Sequence, residues 1–215
     1  MLTITERLLA CYSSAIHDVM VAEGLVNFVL PRTIRPLTRF QRVGGPVYTF
    51  SGRRDDQASP HDTYLAWTEL LGYVPSQHVL VSQPNDDELA FMGELSAEVL
   101  QRRGVLGYIT DGSCRDVEVI QKSGFPVYCR YYTPTDIIGR WLPEKLGDPI
   151  RIGDVYIRTG DYLLADTDGV IVLPAQNIEK LVKKTEVVIN SENKVRIAIL
   201  EGMGAKEAYI KYGKF

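Results

Sequence analysis

The chain has 215 residues, 45% hydrophobic and 24% charged, a mixture that suits one domain with its own core and excludes a disordered chain or a coiled coil. Lys+Arg number 24 and Asp+Glu 27, so the formal net charge is −3, which argues against general nucleic-acid binding. Cys11, Cys114 and Cys129 are an odd, widely spaced set that fits a reducing compartment better than a disulfide framework; no run approaches the ~18 apolar residues of a membrane helix, and the first residues lack a leader pattern, so a cytoplasmic protein is expected.

Residues 4–22 carry Leu8, Leu9, Tyr12, Ala15, Ile16, Val19 and Met20 at helical spacing, with Thr3 or Thr5 placed as cap and Gly24 as stop. Residues 25–37, with Pro31 and Pro36, read as loop, and 43–50 as a strand entered through glycines. A polar connection over 51–60 leads to a helix over 61–71, stopped by Gly72 and Pro75, and to a buried strand over 78–82. Helix over 88–103, closed by Gly104, is followed by strand 105–110, a turn at Asp111–Ser113, a short helix over 117–122 and a strand over 126–132. This alternation predicts an α/β layered core. Short strands at 150–152, 155–157, 162–165 and 170–173, separated by Gly-Asp and Asp-Gly turns, predict a β-meander. A helix over about 176–202 ends the chain. No repeat or linker interrupts it, so a single domain over 1–215 is expected.

The stretches with chemistry in them are Gly93-Glu-Leu-Ser-Ala-Glu98 and Asp111-Gly-Ser-Cys-Arg-Asp116. A helix over 93–103 runs ~16 Å, and a strand over 105–110 returns ~20 Å. Gly104 reverses the direction between them, so Arg115 and Asp116 are predicted to land beside Glu94 at the helix start. A helix N-terminus favours a carboxylate ligand. An adjacent Arg offers a planar fork for a carboxylate or keto oxygen. Glu94 and Asp116 are hard oxygen ligands suited to Mg²⁺ or Mn²⁺ with water retained. Such a set is equipped to stabilise an enolate. The plainer alternative is a surface turn with a local Arg115–Asp116 ion pair.

The motifs Gly93-Glu-Leu, Gly104, Gly107, Asp111-Gly112 and Arg115-Asp116 resemble those of the 4-hydroxy-4-methyl-2-oxoglutarate aldolase and ribonuclease-regulator (RraA-like) family. The resemblance extends through Ile34-Arg-Pro-Leu37, Gly44-Gly-Pro-Val-Tyr-Thr-Phe50, Gly153-Asp-Val and the run from Gly160 to Pro174. It implies an α/β/β/α layered fold of the phosphohistidine swivelling-domain type, with the meander and the long C-terminal helix. It also implies a metal-dependent pyruvate aldolase that decarboxylates oxaloacetate as a side activity. By motif, the amides of Gly93, Glu94, Leu95 and Ser96 would meet substrate, Arg115 would bind the keto oxygen, Asp116 would hold Mg²⁺ or Mn²⁺, and Glu94 would support its water. The family completes its site with a neighbouring subunit's carboxylate, for which Glu192 is the candidate. Glu192 is an acid on the otherwise apolar stripe Ile178, Leu181, Val182, Thr185, Val188, Ile189, Val195 and Ile199. The plainer alternative is that Glu192 meets a Lys or Arg. A homotrimer or homohexamer with a small keto-acid substrate, and with no nucleic acid or membrane as partner, is the implied assembly. In the family, lack of the acid after the Arg goes with regulator members, so Asp116 favours an enzyme. A non-catalytic regulator that binds a ribonuclease or other protein, and a sugar-acid aldolase or dehydratase, remain alternatives.

Other signals carry less. His17, His61 and His78 have no zinc spacing with the cysteines, and no His is placed as base for Cys114. Asp166 and Asp168 read as turn-shaping rather than cation-binding, and Gly202-Met-Gly204 follows a helix, unlike a phosphate loop. Nothing in the setting of Lys122 or Lys145 suggests a Schiff-base lysine.

Overall fold

The computed structural model of the chain describes residues 2–214. Its elements, in chain order, open with α1 (Ile4–Leu9), α2 (Ser13–Ala22), β1 (Arg35–Pro36), β2 (Val43–Arg54), α3 (Pro60–Tyr73), β3 (Val79–Gln83) and α4 (Glu94–Arg102). They continue with β4 (Gly107–Thr110), β5 (Ser113–Cys114), α5 (Val117–Ser123), β6 (Val127–Cys129), β7 (Tyr131–Tyr132) and β8 (Trp141–Leu146). The last are β9 (Ile150–Ile152), β10 (Val155–Ile157), β11 (Tyr162–Ala165), β12 (Val170–Leu173), α6 (Ile178–Leu200) and α7 (Ala205–Tyr212).

The main sheet runs in the order β1-β6-β4-β3-β2-β11-β12, and β8 also pairs with β2. Strands β2, β3, β4 and β6 are mutually parallel, joined by crossovers that contain α3, α4 and α5. Parallel strands require such covered crossovers, and their C-terminal ends therefore share one edge. Strand periodicity divides the core. Leu80 and Tyr108 point to the side of Phe50, Trp67, Leu100 and Trp141. Val79, Val81 and Ile109 point to the opposite side, where the β9–β10 hairpin covers them with Ile150, Ile152 and Ile157. On the β11–β12 portion, Leu164 and Leu173 pack against Leu8, Ile16 and Met20 of the first two helices and Leu181 and Val182 of α6. The result is the expected layered α/β arrangement with a long C-terminal helix.

Several boundaries differ from expectation. The helix expected over 4–22 is two helices, because Tyr12 is extended (φ −125°, ψ 154°). Thr3 caps the first in a capping box with Glu6. The second is capped from a distance by Asp166, whose carboxylate accepts from the Ser13 amide at 2.8 Å and the Ser13 hydroxyl at 2.7 Å. Asp166 also accepts from the Asp168 amide at 3.0 Å, the turn-shaping role expected of it. Strand β2 runs on to Arg54 because β8, an element the residue pattern did not reveal, pairs with its second half across a bulge between Ser51 and Gly52. A Cβ at Gly52 would overlap the Trp141 indole, so the bulge and the packing both need glycine there. The meander divides into two hairpins, one in the main sheet and one lying across it. A short α7 follows α6.

The expected helix over 88–103 begins only at Glu94. Leu89, Ala90, Phe91 and Met92 are all buried, a run without a solvent face. Instead Ala90 forms isolated parallel bridges with Ser113 and Asp136. Ala90 donates to the Thr135 carbonyl at 2.8 Å and Phe91 to that of Ser113 at 2.9 Å.

An aromatic cluster underlies this segment: Trp141 meets Phe91 edge-on at 5.2 Å and Trp67 at 6.1 Å, and its indole donates to the Pro84 carbonyl at 2.8 Å. Trp141→Ala is expected to lower stability by about 3–5 kcal/mol, read from the shift of a denaturant unfolding curve. A shift under about 1 kcal/mol would show that the cluster does not hold the Phe91 segment in place.

Candidate active site

Three loops leave the shared C-terminal edge of the parallel strands and meet. The first, after β3, ends at Gly93, whose extended backbone (φ −130°, ψ 176°) opens α4 without a side-chain cap of its own. The second follows β4. Its Cys114 pairs in a short parallel ladder with Tyr132, and the Arg115 amide donates to the Met92 carbonyl at 2.9 Å. Arg115 is thereby clamped by backbone bonds to the strand-like segment that leads into Gly93. The third loop, around 133–138, brings Asp136.

Asp116 holds the junction. Its backbone is left-handed (φ 56°, ψ 34°) at the cap position of α5, yet its side chain makes no capping bond to that helix. The carboxylate turns the other way, and Oδ2 accepts the Glu94 amide at 3.1 Å. It caps α4 from outside, in the place where Gly93 offers no oxygen. The Arg115 Nε lies 3.6 Å from the same Oδ2. Arg115 Nη1 donates to Asp136 Oδ2 at 3.2 Å, and Asp136 Oδ1 accepts the Ile138 amide at 3.1 Å. Asp136 is thus a fixed acceptor that orients the guanidinium. A Cβ at Gly93 would stand 2.8 Å from Asp116 Oδ2 and 3.3 Å from Arg115 Nε, so this approach requires glycine.

These groups line a cleft of about 250 Å³. Gly93, Glu94, Leu95, Ser96, Arg115 and Asp116, the residues expected to form the site, all border it. The Leu95 and Ser96 amides belong to the first helical turn and have no intrahelical acceptor. The Ser96 hydroxyl accepts the Trp67 indole N–H at 2.9 Å, which ties α3 to α4 along the cleft. Asp136, Trp67 and Ile137 were not foreseen. Nothing in the local pattern around Asp136 distinguishes it, because its role comes from a contact 21 residues away in sequence. Glu192 lies outside the cleft. In its own chain it accepts a hydrogen bond from Tyr12 and pairs with Lys214 at 2.9 Å. Partial burial disfavours its charged form, but those two partners outweigh it and hold its carboxyl below the usual range. Cys114 and Cys129 are buried 3.4 Å apart, sulfur to sulfur, and that contact together with burial pushes the Cys114 thiol up, away from a reactive thiolate.

The donor set admits a hard divalent cation. Among the described residues no group of three or more His, Cys, Asp or Glu converges as a cage. Mg²⁺ ordinarily keeps most of its waters and takes one or two carboxylates. Asp116, with Oδ2 occupied and its side chain about one-third exposed, and Glu94, bordering the same cleft, fit that kind of ion.

Residues 13–172 match the RraA-like family, described as Aldolase/RraA. The chain belongs to that family. A Halalkalibacterium halodurans protein named "Putative 4-hydroxy-4-methyl-2-oxoglutarate aldolase" is 27% identical over 202 residues, covering 93% of this chain and 90% of that protein. Protein DlpA of Legionella pneumophila is 27% identical over 212 residues, 97% of this chain, but the chain spans only 34% of that protein's length. The crystal structure of Streptomyces coelicolor RraAS2, described as an unusual member of the RNase ES inhibitor RraA protein family, matches with a TM-score of 0.80 at 23% identity, covering 90% of this chain and 96% of that one. That likeness concerns the fold. Among the described residues no helix is long and apolar enough to cross a membrane.

The two roles of Asp116 in the backbone framework can be separated. Asp116→Asn keeps an acceptor oxygen and tolerates left-handed backbone, so its unfolding free energy should stay within about 0.5 kcal/mol of the parent. Asp116→Ala loses the cap and keeps the strained dihedrals, and should cost about 1–3 kcal/mol. Equal losses in thermal or denaturant unfolding would mean that the capping bond contributes nothing.

Proposed function

We propose that the protein is a divalent-metal-dependent carbon–carbon lyase that cleaves a 4-hydroxy-2-oxo acid to pyruvate and a carbonyl product, and that it decarboxylates oxaloacetate. The observation that carries this reading is the convergence of one guanidinium, the open first turn of α4 and two carboxylates in one cleft, fixed by the Asp116–Glu94 amide bond. Both reactions generate negative charge on the oxygen of a pyruvate unit. A group that meets that charge as it develops lowers the barrier, whereas one that binds substrate and transition state equally does not.

The chain's own residues divide the work. The amides of Leu95 and Ser96, at the positive end of α4, receive the substrate carboxylate. Arg115, held in orientation by Asp136, places its remaining N–H groups at the keto oxygen, where the enolate charge accumulates. Asp116 and Glu94 are the residues that would hold Mg²⁺ or Mn²⁺. Such an ion, when bound, adds positive charge at the same oxygens and acidifies the water it retains. Gly93 keeps the helix terminus and the guanidinium close enough to act on one ligand.

The competing reading is a non-catalytic regulator, favoured by the match in fold to a member of an RNase inhibitor family. An assay of pyruvate release from oxaloacetate decides between them. Activity should disappear with EDTA and return with Mg²⁺ or Mn²⁺. Arg115→Lys, which keeps the charge but loses the fork, should lower kcat by roughly 100-fold or more. Asp116→Asn should abolish the metal response while leaving the protein folded. No metal-dependent turnover of oxaloacetate or of any hydroxylated keto-acid, with Asp116→Asn indistinguishable from the parent, would remove the lyase reading in favour of the regulator.

A further inference from the structure

Charge is unevenly spread along this chain. The 31 residues from Gly24 to Arg54 contain six arginines and none of the chain's 27 acids. Arg53 and Arg54, at the C-terminal end of β2, meet Asp55, Asp56, Asp86 and Glu88. Arg32, Arg35, Arg39 and Arg42 are exposed, and among the described residues no carboxylate pairs with any of them. Arg35 Nη1 donates to the Thr167 and Asp168 carbonyls at 3.2 and 2.8 Å, and Arg42 Nη1 to the Leu9 carbonyl at 3.0 Å. Those bonds fix two guanidiniums in place and leave their charge uncompensated. Arg42 precedes Val43, which pairs with Ala165 just before the turn that Arg35 grips, so the patch lies at the N-terminal end of the parallel strands. It shares no residue with the cleft at their C-terminal end.

The turn ahead of Arg42 is held at a cost. Phe40 has a left-handed backbone (φ 63°) and is 72% exposed. Among the described residues it is the one apolar side chain at a positive φ, a conformation that a bulky residue adopts only when its surroundings impose it. They do: the Gln41 amide donates to the Thr38 carbonyl at 3.1 Å, the Tyr128 hydroxyl to the Gln41 carbonyl at 2.6 Å, and Gln41 Nε2 to the Gly124 carbonyl at 3.0 Å. The ring gains no core contact from this and meets the Arg39 guanidinium at 4.7 Å. Thr38 Oγ1 and Gln41 Oε1, in the same turn, are buried side-chain oxygens without a partner. Strain and unmet polar atoms around an exposed aromatic stabilise nothing within the fold, and such features gather where a protein meets a ligand.

We infer that Arg35, Arg39, Phe40 and Arg42 form a docking surface for an acidic segment of another protein, with Phe40 receiving an apolar or aromatic side chain and the guanidiniums receiving carboxylates. Exposed ion pairs contribute little singly, so several carboxylates and one apolar anchor are needed together. Apart from Arg32, Arg35, Arg39 and Arg42 the chain holds 20 Lys and Arg against 27 Asp and Glu, which repels a long polyanion such as a nucleic acid and tolerates a short acidic segment. A second copy fits less well, because the acids of its 55–56 and 86–88 runs already face Arg53 and Arg54. The inference is independent of the lyase reading.

The test measures fluorescence anisotropy of a labelled peptide of Asp and Glu with one central Phe, beside its Asn and Gln counterpart and an oligouridylate of similar length. The acidic peptide should bind the parent protein with a Kd of about 100 µM or tighter at low salt, and about 10-fold more weakly in moderate salt. Arg39→Glu, whose side chain meets only Phe40, should weaken it by about 10-fold. Phe40→Gly removes the strain and the anchor together, so its unfolding midpoint should rise while binding falls by about 5-fold or more. Oxaloacetate turnover should match the parent in both variants. Equal binding of the neutral peptide, tighter binding of the oligouridylate, no binding of the acidic peptide, or full affinity in Phe40→Gly each overturns the inference. So does a parent assembly that Arg39→Glu disperses in sedimentation, because a second copy then covers the surface.

Discussion

The bond from the Glu94 amide to the Asp116 carboxylate adds a side-chain tie between two crossover units that backbone bonds from Phe91 to Ser113 and from Arg115 to Met92 already join. One unit runs from β3 into α4 and the other from β4 into α5. Each ends its strand at the same sheet edge, but parallel strands only bring the loops near one another. The side chain of Asp116 converts that nearness into a fixed geometry, and it does so at the cost of a left-handed backbone, about 1–3 kcal/mol by general experience. The carboxylate could have capped its own helix at lower strain. That it reaches across to α4 makes α4's first turn, Arg115 and Gly93 a single unit. Ligand sites at the carboxyl ends of parallel strands are the rule in open α/β sheets, and here the third loop adds Asp136 to steady the guanidinium.

This arrangement explains why the charged half of the cleft needs so few residues. Backbone bonds clamp Arg115 to the segment before Gly93, and Asp136 uses both oxygens, one on Arg115 and one on the Ile138 amide. The side-chain entropy that a long arginine loses on binding is therefore partly lost already in the folded protein, as preorganisation requires. Tyr108 contributes from beneath. Its buried hydroxyl bridges Ser82 at 2.8 Å and the Phe91 carbonyl at 3.3 Å, so the run into Gly93 is supported by a polar network inside an apolar core. A network of this kind, once satisfied, resists local slippage.

Helix rise and strand rise alone predict that Arg115 and Asp116 return to the start of the helix that holds Glu94, and the structure has them there. That estimate survives an error in the helix boundary because the start of α4, not its length, controls the meeting point. Residues 89–92 misled the periodicity because a fully buried run satisfies a helical stripe and an extended one equally well. Tyr12 fitted the apolar stripe of the first helix, yet its hydroxyl turns to Glu192, and that long-range bond accompanies the break that local spacing could not show. Glu192 itself stood out as an acid on an apolar stripe. It meets Lys214, the kind of partner the plainer alternative expected, whereas the bond from Tyr12, 180 residues away, was not legible. Asp136 and Trp67 acquire meaning only through tertiary contact, and neither carries a local signature.

The polar and the apolar lining of the cleft come from different parts of the chain. The charged half draws on strand ends and on backbone amides, which a substitution cannot alter without disturbing the sheet. A Cβ at Gly93 would stand 2.8 Å from Asp116 Oδ2. The apolar lining is mixed: Trp67, Leu71 and Ile137 belong to the buried core, whereas Tyr64, Leu95 and Val99 are exposed at the cleft. Val99 and Tyr64 are substantially exposed, so exchanging them costs little stability. The polar lining is thus tied to the framework, while Tyr64, Leu95 and Val99 at the exposed edge of the cleft are free to vary.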